Sequence, residues 1–225
     1  MSAESAVRDG NQAGFELIET LRWEPETGFL RLDRHLQRLY ASAEALGFPA
    51  DPETIGEALR ECKGERVPLR VRLTLAQDGT VNATTAPFEP LAADAPWALR
   101  IAATRLDAHD PLIRHKTTRR AVYEAARQEF SREEADEVIL LNQRGEVCEG
   151  TITNIFIDIG EPVLVTPALA SGLLPGVLRG SLLDQVTARE AVLTEADLRA
   201  AQAIFVGNSL RGLIRAQLVP ATFGI

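Results

Sequence analysis

The apolar and polar residues of FELIETLRW, 15–23, read as a strand, and a turn follows from Pro25 to Gly28. In LDRHLQRLYASAEALGF the period becomes helical. Leu36, Leu39, Tyr40, Ala43 and Leu46 recur at helical spacing, Asp33 suits the N-cap, and Gly47 suits the stop. A second helix is expected over about 52–62. LRVRLTLAQDGTVNATTAPF alternates, turns at Asp78-Gly79 and returns as a partner strand. Val71, Leu73 and Leu75 share one face of this hairpin; Arg70, Arg72 and Thr74 share the other.

The periodicity breaks in APFEPLAADAPW, which reads as a linker near 87–96. It divides the chain into an N-terminal lobe, residues 1–90, and a C-terminal lobe, residues 96–225. The second lobe begins with a strand over 98–104, and a helix is expected over PLIRHKTTRRAVYEAAR, 111–127. Several antiparallel strands follow across DEVILLNQRGEVCEGTITNIFIDIGEPVLVTPA, with turns at Arg144-Gly145 and Gly160-Glu161. LLPGVLRGSLLDQVTA reads as a helix with Pro175-Gly176 in its first turn, and TEADLRAAQ carries a capping box, Thr194 with Asp197. AIFVG is the last expected strand and runs into GNSLRG. Without regular βαβ alternation, the pattern favours an α+β fold of two α/β lobes over a Rossmann sheet. Neither a GxGxxG nor a GxxxxGK[ST] loop is present.

Composition narrows the choice of partner. A net charge of −8 argues against nucleic acid, so a local group of cations suits a small anionic ligand. The apolar runs are too short for a bilayer and the N-terminus lacks a signal-peptide core, which points to a cytoplasmic protein with no membrane association. Cys62 and Cys148 cannot build a disulfide framework, and His35, His109 and His115 show no metal-ligand spacing, so no metal site is expected.

Arg114, His115, Lys116, Arg119 and Arg120 gather at the start of the expected helix over 111–127, where the helix dipole disfavours cations. They read either as a solvated basic face or as a setting that lowers the pKa of a nucleophilic amine, Lys116. Glu149 is either an exposed turn residue or a buried carboxylate that holds a proton on a heterocyclic nitrogen. The Pro-Gly turn of SGLLPGVLRG exposes helix-start amides suited to a phosphate, and GNSLRG adds Ser209 and Arg211. Arg38 is either a surface residue or a phosphate anchor. Together these groups form the inventory for pyridoxal phosphate: an amine, an acid, and a cup of amides, hydroxyl and cation.

From about Phe15 to Leu218 the chain resembles the fold type IV pyridoxal-phosphate enzymes. These include branched-chain aminotransferases, D-amino acid transaminases and 4-amino-4-deoxychorismate lyases. LIETLRW resembles the family's F-E-T-x-R strand, and LDRHLQRL its H-x-x-R-L helix, which makes Arg38 the implied phosphate-binding arginine. RHKTTRR supplies Lys116, the implied Schiff-base lysine, placed in the C-terminal lobe. CEGTITNIF resembles S-E-G-x-x-x-N-[LIV]-F and implies Glu149 as partner of the pyridine nitrogen. LLPGVLRG implies phosphate contacts from the amides of Val177 and Leu178, and GNSLRG implies one from Ser209. The stretch before Phe15 does not carry in full the strand and D-R-G loop that usually precede these motifs.

Two departures bear on the reaction. The tyrosine that many members hold five residues after the lysine is Ala121 here, and Arg120 at lysine plus four resembles some aminodeoxychorismate lyases. The Y-x-R of branched-chain aminotransferases is Arg70-Val71-Arg72. The resemblance thus implies a homodimer with pyridoxal 5'-phosphate between two lobes. The expected activity is 4-amino-4-deoxychorismate lyase, with an aminotransferase on branched-chain or D-amino acids as the alternative. Arg22, Arg72, Arg120 and Arg211 are the candidates for the substrate carboxylates.

Overall fold

The computed structural model describes residues 14–62, 64, 66–91 and 96–220. Residues 92–95 of the expected linker lie outside them. The chain divides into two compact units. One is Met1–Pro90 with His115–Arg119; the other is Leu91–Arg114 with Arg120–Ile225.

The first unit is a four-stranded antiparallel sheet carrying two helices. Its strands are β1 (Leu17–Glu24), β2 (Gly28–Phe29), β3 (Leu69–Leu75) and β4 (Val81–Pro87), in the order β2-β1-β3-β4. Helices α1 (Leu32–Leu46) and α2 (Pro52–Glu61) follow β2. Leu17, Leu21, Val71, Leu73 and Leu75 are almost fully buried on one face of the sheet, as strand alternation dictates. Across β1 and β3, Arg22 faces Arg70 and Thr20 faces Arg72. The start of α1 differs from expectation. Arg31, at φ 56° and ψ 33°, is its N-cap and makes no side-chain cap bond. Asp33 lies inside the first turn instead, where its negative charge still interacts favourably with the positive end of the helix dipole.

The second unit is an eight-stranded mixed sheet with three helices. Its strands are β5 (Trp97–Leu106), β6 (Glu137–Asn142), β7 (Val147–Gly150), β8 (Asn154–Asp158), β9 (Leu164–Pro167), β10 (Ala188–Ala191), β11 (Ala203–Asn208) and β12 (Gly212–Leu218). Their order is β10-β9-β8-β11-β12-β5-β6-β7. Helices α3 (Ala121–Gln128), α4 (Val177–Asp184) and α5 (Glu195–Ala200) accompany it. Strand β6 is buried on both faces. Ile139 and Leu141 join a core with Leu99, Ile155 and Val206, whereas Val138 and Leu140 join a second core with Leu106 and Ala126. The capping box at Thr194 and Asp197 is present. Strands β10 and β12 are additions to the sequence reading; β10 is short, with both central residues exposed, so it carries little alternation to detect.

The helix expected over 111–127 is corrected to Ala121–Gln128. The preceding residues pair with a strand instead. Ile18 N–H donates to the Lys116 carbonyl at 2.9 Å, Thr118 N–H donates to Glu16 O at 2.9 Å, and Thr117 bridges Leu17. Backbone groups committed to a strand edge cannot also close helical turns. Arg114, His115, Lys116 and Arg119 therefore lie outside the helix, and its dipole does not explain their grouping. The same pairing places Lys116 with the first unit, although sequence order places it in the C-terminal lobe.

Candidate active site

In the first unit a carboxylate sits on the apolar side of the sheet. Glu19 follows Leu17 on the buried face of β1 and is 1% exposed. His35 and Arg38, three residues apart on α1, project on one side of that helix. His35 Nδ1 lies 2.6 Å from Glu19 Oε2. Arg38 donates from Nε to Oε1 at 2.8 Å and from Nη2 to Oε2 at 2.6 Å. Burial pushes the Glu19 carboxyl up, but the Arg38 charge and the bonds from His35 and Arg38 outweigh it and hold it at about 2. The bidentate pair fixes the Arg38 guanidinium, so a cation implied as a phosphate anchor is set in place by an acid and an imidazole.

Beside this group, the His115 ring lies 3.0 Å from Ser42 Oγ on α1, and Lys116 is held through the main chain to β1. Arg22 bonds Glu24 and lies over the Phe88 ring at 4.2 Å. Arg72 is exposed on the polar face of the hairpin. Among the sequence candidates, the first unit thus holds Lys116, Arg38, Arg22 and Arg72.

The second unit holds Glu149, Val177, Leu178, Ser209, Arg120 and Arg211. Glu149, on β7, is 4% exposed. Its Oε1 accepts from the Tyr123 hydroxyl at 2.7 Å and from Leu174 N–H at 3.1 Å, and Asn154 Nδ2 lies 3.5 Å from Oε2. Asn154 Nδ2 also donates to Leu174 O at 3.1 Å. Glu149 is therefore a buried carboxylate and not an exposed turn residue.

The turn from β7 to β8 is organised from beneath by a second buried acid, Glu137. Glu137 Oε1 accepts from Thr151 N–H at 3.0 Å and Thr151 Oγ1 at 2.5 Å; Oε2 accepts from Ile152 N–H at 3.1 Å and Thr153 Oγ1 at 2.9 Å. A side chain at Gly150 would collide with Thr153 and Glu137, so glycine is required directly after Glu149. Arg120 closes the turn from the other side. Its guanidinium bonds the Thr151 carbonyl and lies 4.7 Å from the Tyr123 ring centre.

Helix α4 begins at Val177 with Gly176 as N-cap and no side-chain cap, which leaves the first amides oriented for an anion. A Cβ on Gly176 would run into the Asn154 amide. Gly207 brings β11 against the Leu178 side chain, and the loop beyond it holds Ser209, which is buried. Asn208 fixes that loop, accepting from Leu210 N–H at 3.1 Å and Arg211 N–H at 3.0 Å while donating to Ile152 O at 3.1 Å. Arg211 lies 5.9 Å from the Trp97 ring centre.

The chain matches a known family over almost its whole length. The family model for amino-transferase class IV covers residues 16–219. The chain belongs to the class IV aminotransferase family. It is 33% identical over 211 residues to a Schizosaccharomyces pombe protein provisionally described as an aminodeoxychorismate lyase, covering 90% of this chain and 89% of that one. A Mesorhizobium loti crystal structure, provisionally described as an amino-acid aminotransferase, is 58% identical with a TM-score of 0.89. That match covers 91% of this chain and 100% of the other. The 4-amino-4-deoxychorismate lyase of Pseudomonas aeruginosa shares the fold at 23% identity and a TM-score of 0.74, covering 90% and 82%.

The chain is accordingly an α+β, fold type IV, pyridoxal-phosphate-dependent enzyme. Its residues fit that cofactor. The uncapped start of α4 suits a phosphate, the Glu149 carboxylate is buried and oriented, and Lys116 is anchored by its backbone. Among the described residues no helix is long and apolar enough to cross a membrane, and no group of three acid, histidine or cysteine side chains is placed to hold a metal.

Glu19, His35, Glu137, Asn154 and Tyr123 join the residues expected from the sequence. Glu19 and His35 were signalled by an acid at an inward strand position and a histidine on the apolar side of a helix. Asn154 stands in the quoted motif. Tyr123 carries no motif signal: it stands at lysine plus seven, and its contact to Glu149 spans 26 positions of sequence.

Proposed function

We propose that the chain converts 4-amino-4-deoxychorismate to 4-aminobenzoate and pyruvate. The full-length similarity to the Schizosaccharomyces pombe relative carries this reading. It is supported by Arg70, which stands where branched-chain aminotransferases of the family place a tyrosine, and by Arg120 at lysine plus four, beside Ala121 at the position where many members hold a tyrosine. In this reading Lys116 binds the cofactor, Glu149 pairs with its ring nitrogen, and Arg38, Ser209 and the amides of Val177 and Leu178 take its phosphate.

Bound pyridoxal phosphate supplies an electron sink for the carbon that bears the substrate amine. Lys116 removes the proton from that carbon. The C–O bond on the neighbouring ring carbon then breaks, the ring becomes aromatic, and enolpyruvate departs, taking up a proton to become pyruvate. Arg22, Arg72, Arg120 and Arg211 are the proposed carboxylate ligands, since guanidinium forks suit a dicarboxylate. A homodimer in the cytoplasm completes the proposal; sedimentation of the purified protein tests the dimer.

The name of the Mesorhizobium loti structure favours a second reading, an amino-acid aminotransferase. The two differ in what a single turnover leaves behind. A lyase returns the cofactor to its starting form with no 2-oxo acid acceptor, whereas a transaminase stops at pyridoxamine phosphate. With aminodeoxychorismate we expect 4-aminobenzoate and an unchanged visible spectrum after each turnover. Conversion by L-leucine or D-alanine to the pyridoxamine form, with no 4-aminobenzoate produced, overturns the lyase.

A further inference from the structure

The geometry points to Tyr123 as a positioning residue that sets the orientation of the Glu149 carboxylate toward the cofactor's ring nitrogen. The inference rests on the proposed role of Glu149. A carboxylate rotates about its last bond unless one oxygen is fixed. Here the Tyr123 hydroxyl, at 2.7 Å, and the Leu174 amide, at 3.1 Å, both donate to Oε1. Holding one oxygen defines the plane of the group and so the direction of the other.

Tyr123 is itself held from two sides. Its backbone belongs to α3, and the Arg120 guanidinium lies over its ring while bonding the Thr151 carbonyl. The phenol, its ring brace and the turn that follows Glu149 thus form one connected unit. Burial, and next the adjacent Glu149 charge, push the Tyr123 hydroxyl well above the usual phenol range, so it remains a donor at every working pH. The tyrosine is two positions beyond the one the family resemblance implies, and it reaches the acid rather than lying at that earlier place.

The experiment is a double-mutant cycle on the binding of pyridoxal phosphate to the apoprotein, using Tyr123→Phe, Glu149→Gln and the pair. Tyr123→Phe removes only a hydroxyl. It should weaken cofactor binding about 10-fold, the scale of one lost hydrogen bond to a charged group. In the Glu149→Gln background the same change should cost less than about 2-fold, because the group it orients has changed. The apoprotein melting temperature of Tyr123→Phe should stay within about 3 °C of wild type, as for one lost contact.

A spectroscopic readout accompanies the cycle. Less firm support of the ring-nitrogen proton should raise, by about half a unit or more, the pH midpoint of the visible band of the bound cofactor in Tyr123→Phe. Wild-type affinity and midpoint in Tyr123→Phe, with Glu149→Gln impaired, overturn the role of Tyr123 alone. An undiminished Tyr123 effect in the Glu149→Gln background does the same. Wild-type binding by Glu149→Gln overturns the reading of Glu149 and the role of Tyr123 with it.

Discussion

His35 Nδ1 and Glu19 Oε2 meet at 2.6 Å inside the first unit, and the Arg38 guanidinium clasps the same carboxylate. The depressed Glu19 pKa has a definite consequence for acid stability. A carboxyl at about 2 in the folded chain, against an ordinary value of 4.5, contributes fully above the ordinary value. That contribution is lost as pH falls from 4.5 through about 2. Glu19→Gln should cost about 3 kcal/mol at neutral pH, as for one partner removed from a buried pair. In urea unfolding followed against pH, the gap between mutant and wild type should close across that window; a gap independent of pH would mean that the acid contributes through shape alone.

Lys116 and Lys63 are the only lysines of the chain, which makes chemical trapping decisive. Borohydride treatment of the loaded enzyme should fix cofactor mass on the peptide containing Lys116. Lys116→Ala should lose this label and at least about 1000-fold of turnover, as general-base removal does. Label found on Lys63 by peptide mass spectrometry would reassign the anchor.

At Gly176 a methyl group has nowhere to go except into the Asn154 amide. Gly176→Ala should therefore displace either the start of α4 or Asn154. The expected result is an apoprotein less stable by about 1–3 kcal/mol, the usual range for overpacking. Calorimetric titration should also show weaker binding of pyridoxal phosphate, while pyridoxal without phosphate binds as before. Equal losses for both ligands would separate this helix start from phosphate binding.

Arg120→Ala should weaken substrate use more than cofactor binding if the side chain takes a carboxylate. Its bond to the Thr151 carbonyl also supports the turn after Glu149, so some cofactor affinity is lost too. We expect KM to rise about 10- to 100-fold, the scale of a lost charged contact, with the cofactor dissociation constant moving less than about 5-fold. The reverse ranking in steady-state kinetics and cofactor titration would make Arg120 a brace only.

The strands and helices with clean periods were legible from residues alone: β1, the β3–β4 hairpin and α1 follow alternation and helical spacing. Motif resemblance added Glu149, Arg38 and the α4 start, whose meaning depends on order along the chain rather than on period. The segment around Lys116 is not legible locally: helix formers run on into AVYEAAR, while the pairing that holds residues 116–118 comes from Glu16 and Ile18, about a hundred positions earlier. No local window contains that information. The bond from Tyr123 to Glu149 is likewise non-local, 26 positions along the chain. Glu19 was within reach: an acid at an inward strand position demands a partner, and His35 and Arg38 stand one helical turn apart on the helix that follows.

The fastening of Lys116 to β1 through main-chain groups separates where the proposed cofactor lysine stands from what surrounds it. Ile18 and Glu16 grip carbonyl and amide groups that every residue type except proline possesses in full. Side chains at the neighbouring exposed positions, Arg114 and Arg119, can therefore change without moving the lysine's backbone. Under the proposed function, single substitutions there alter the charge around the lysine while its backbone keeps its place.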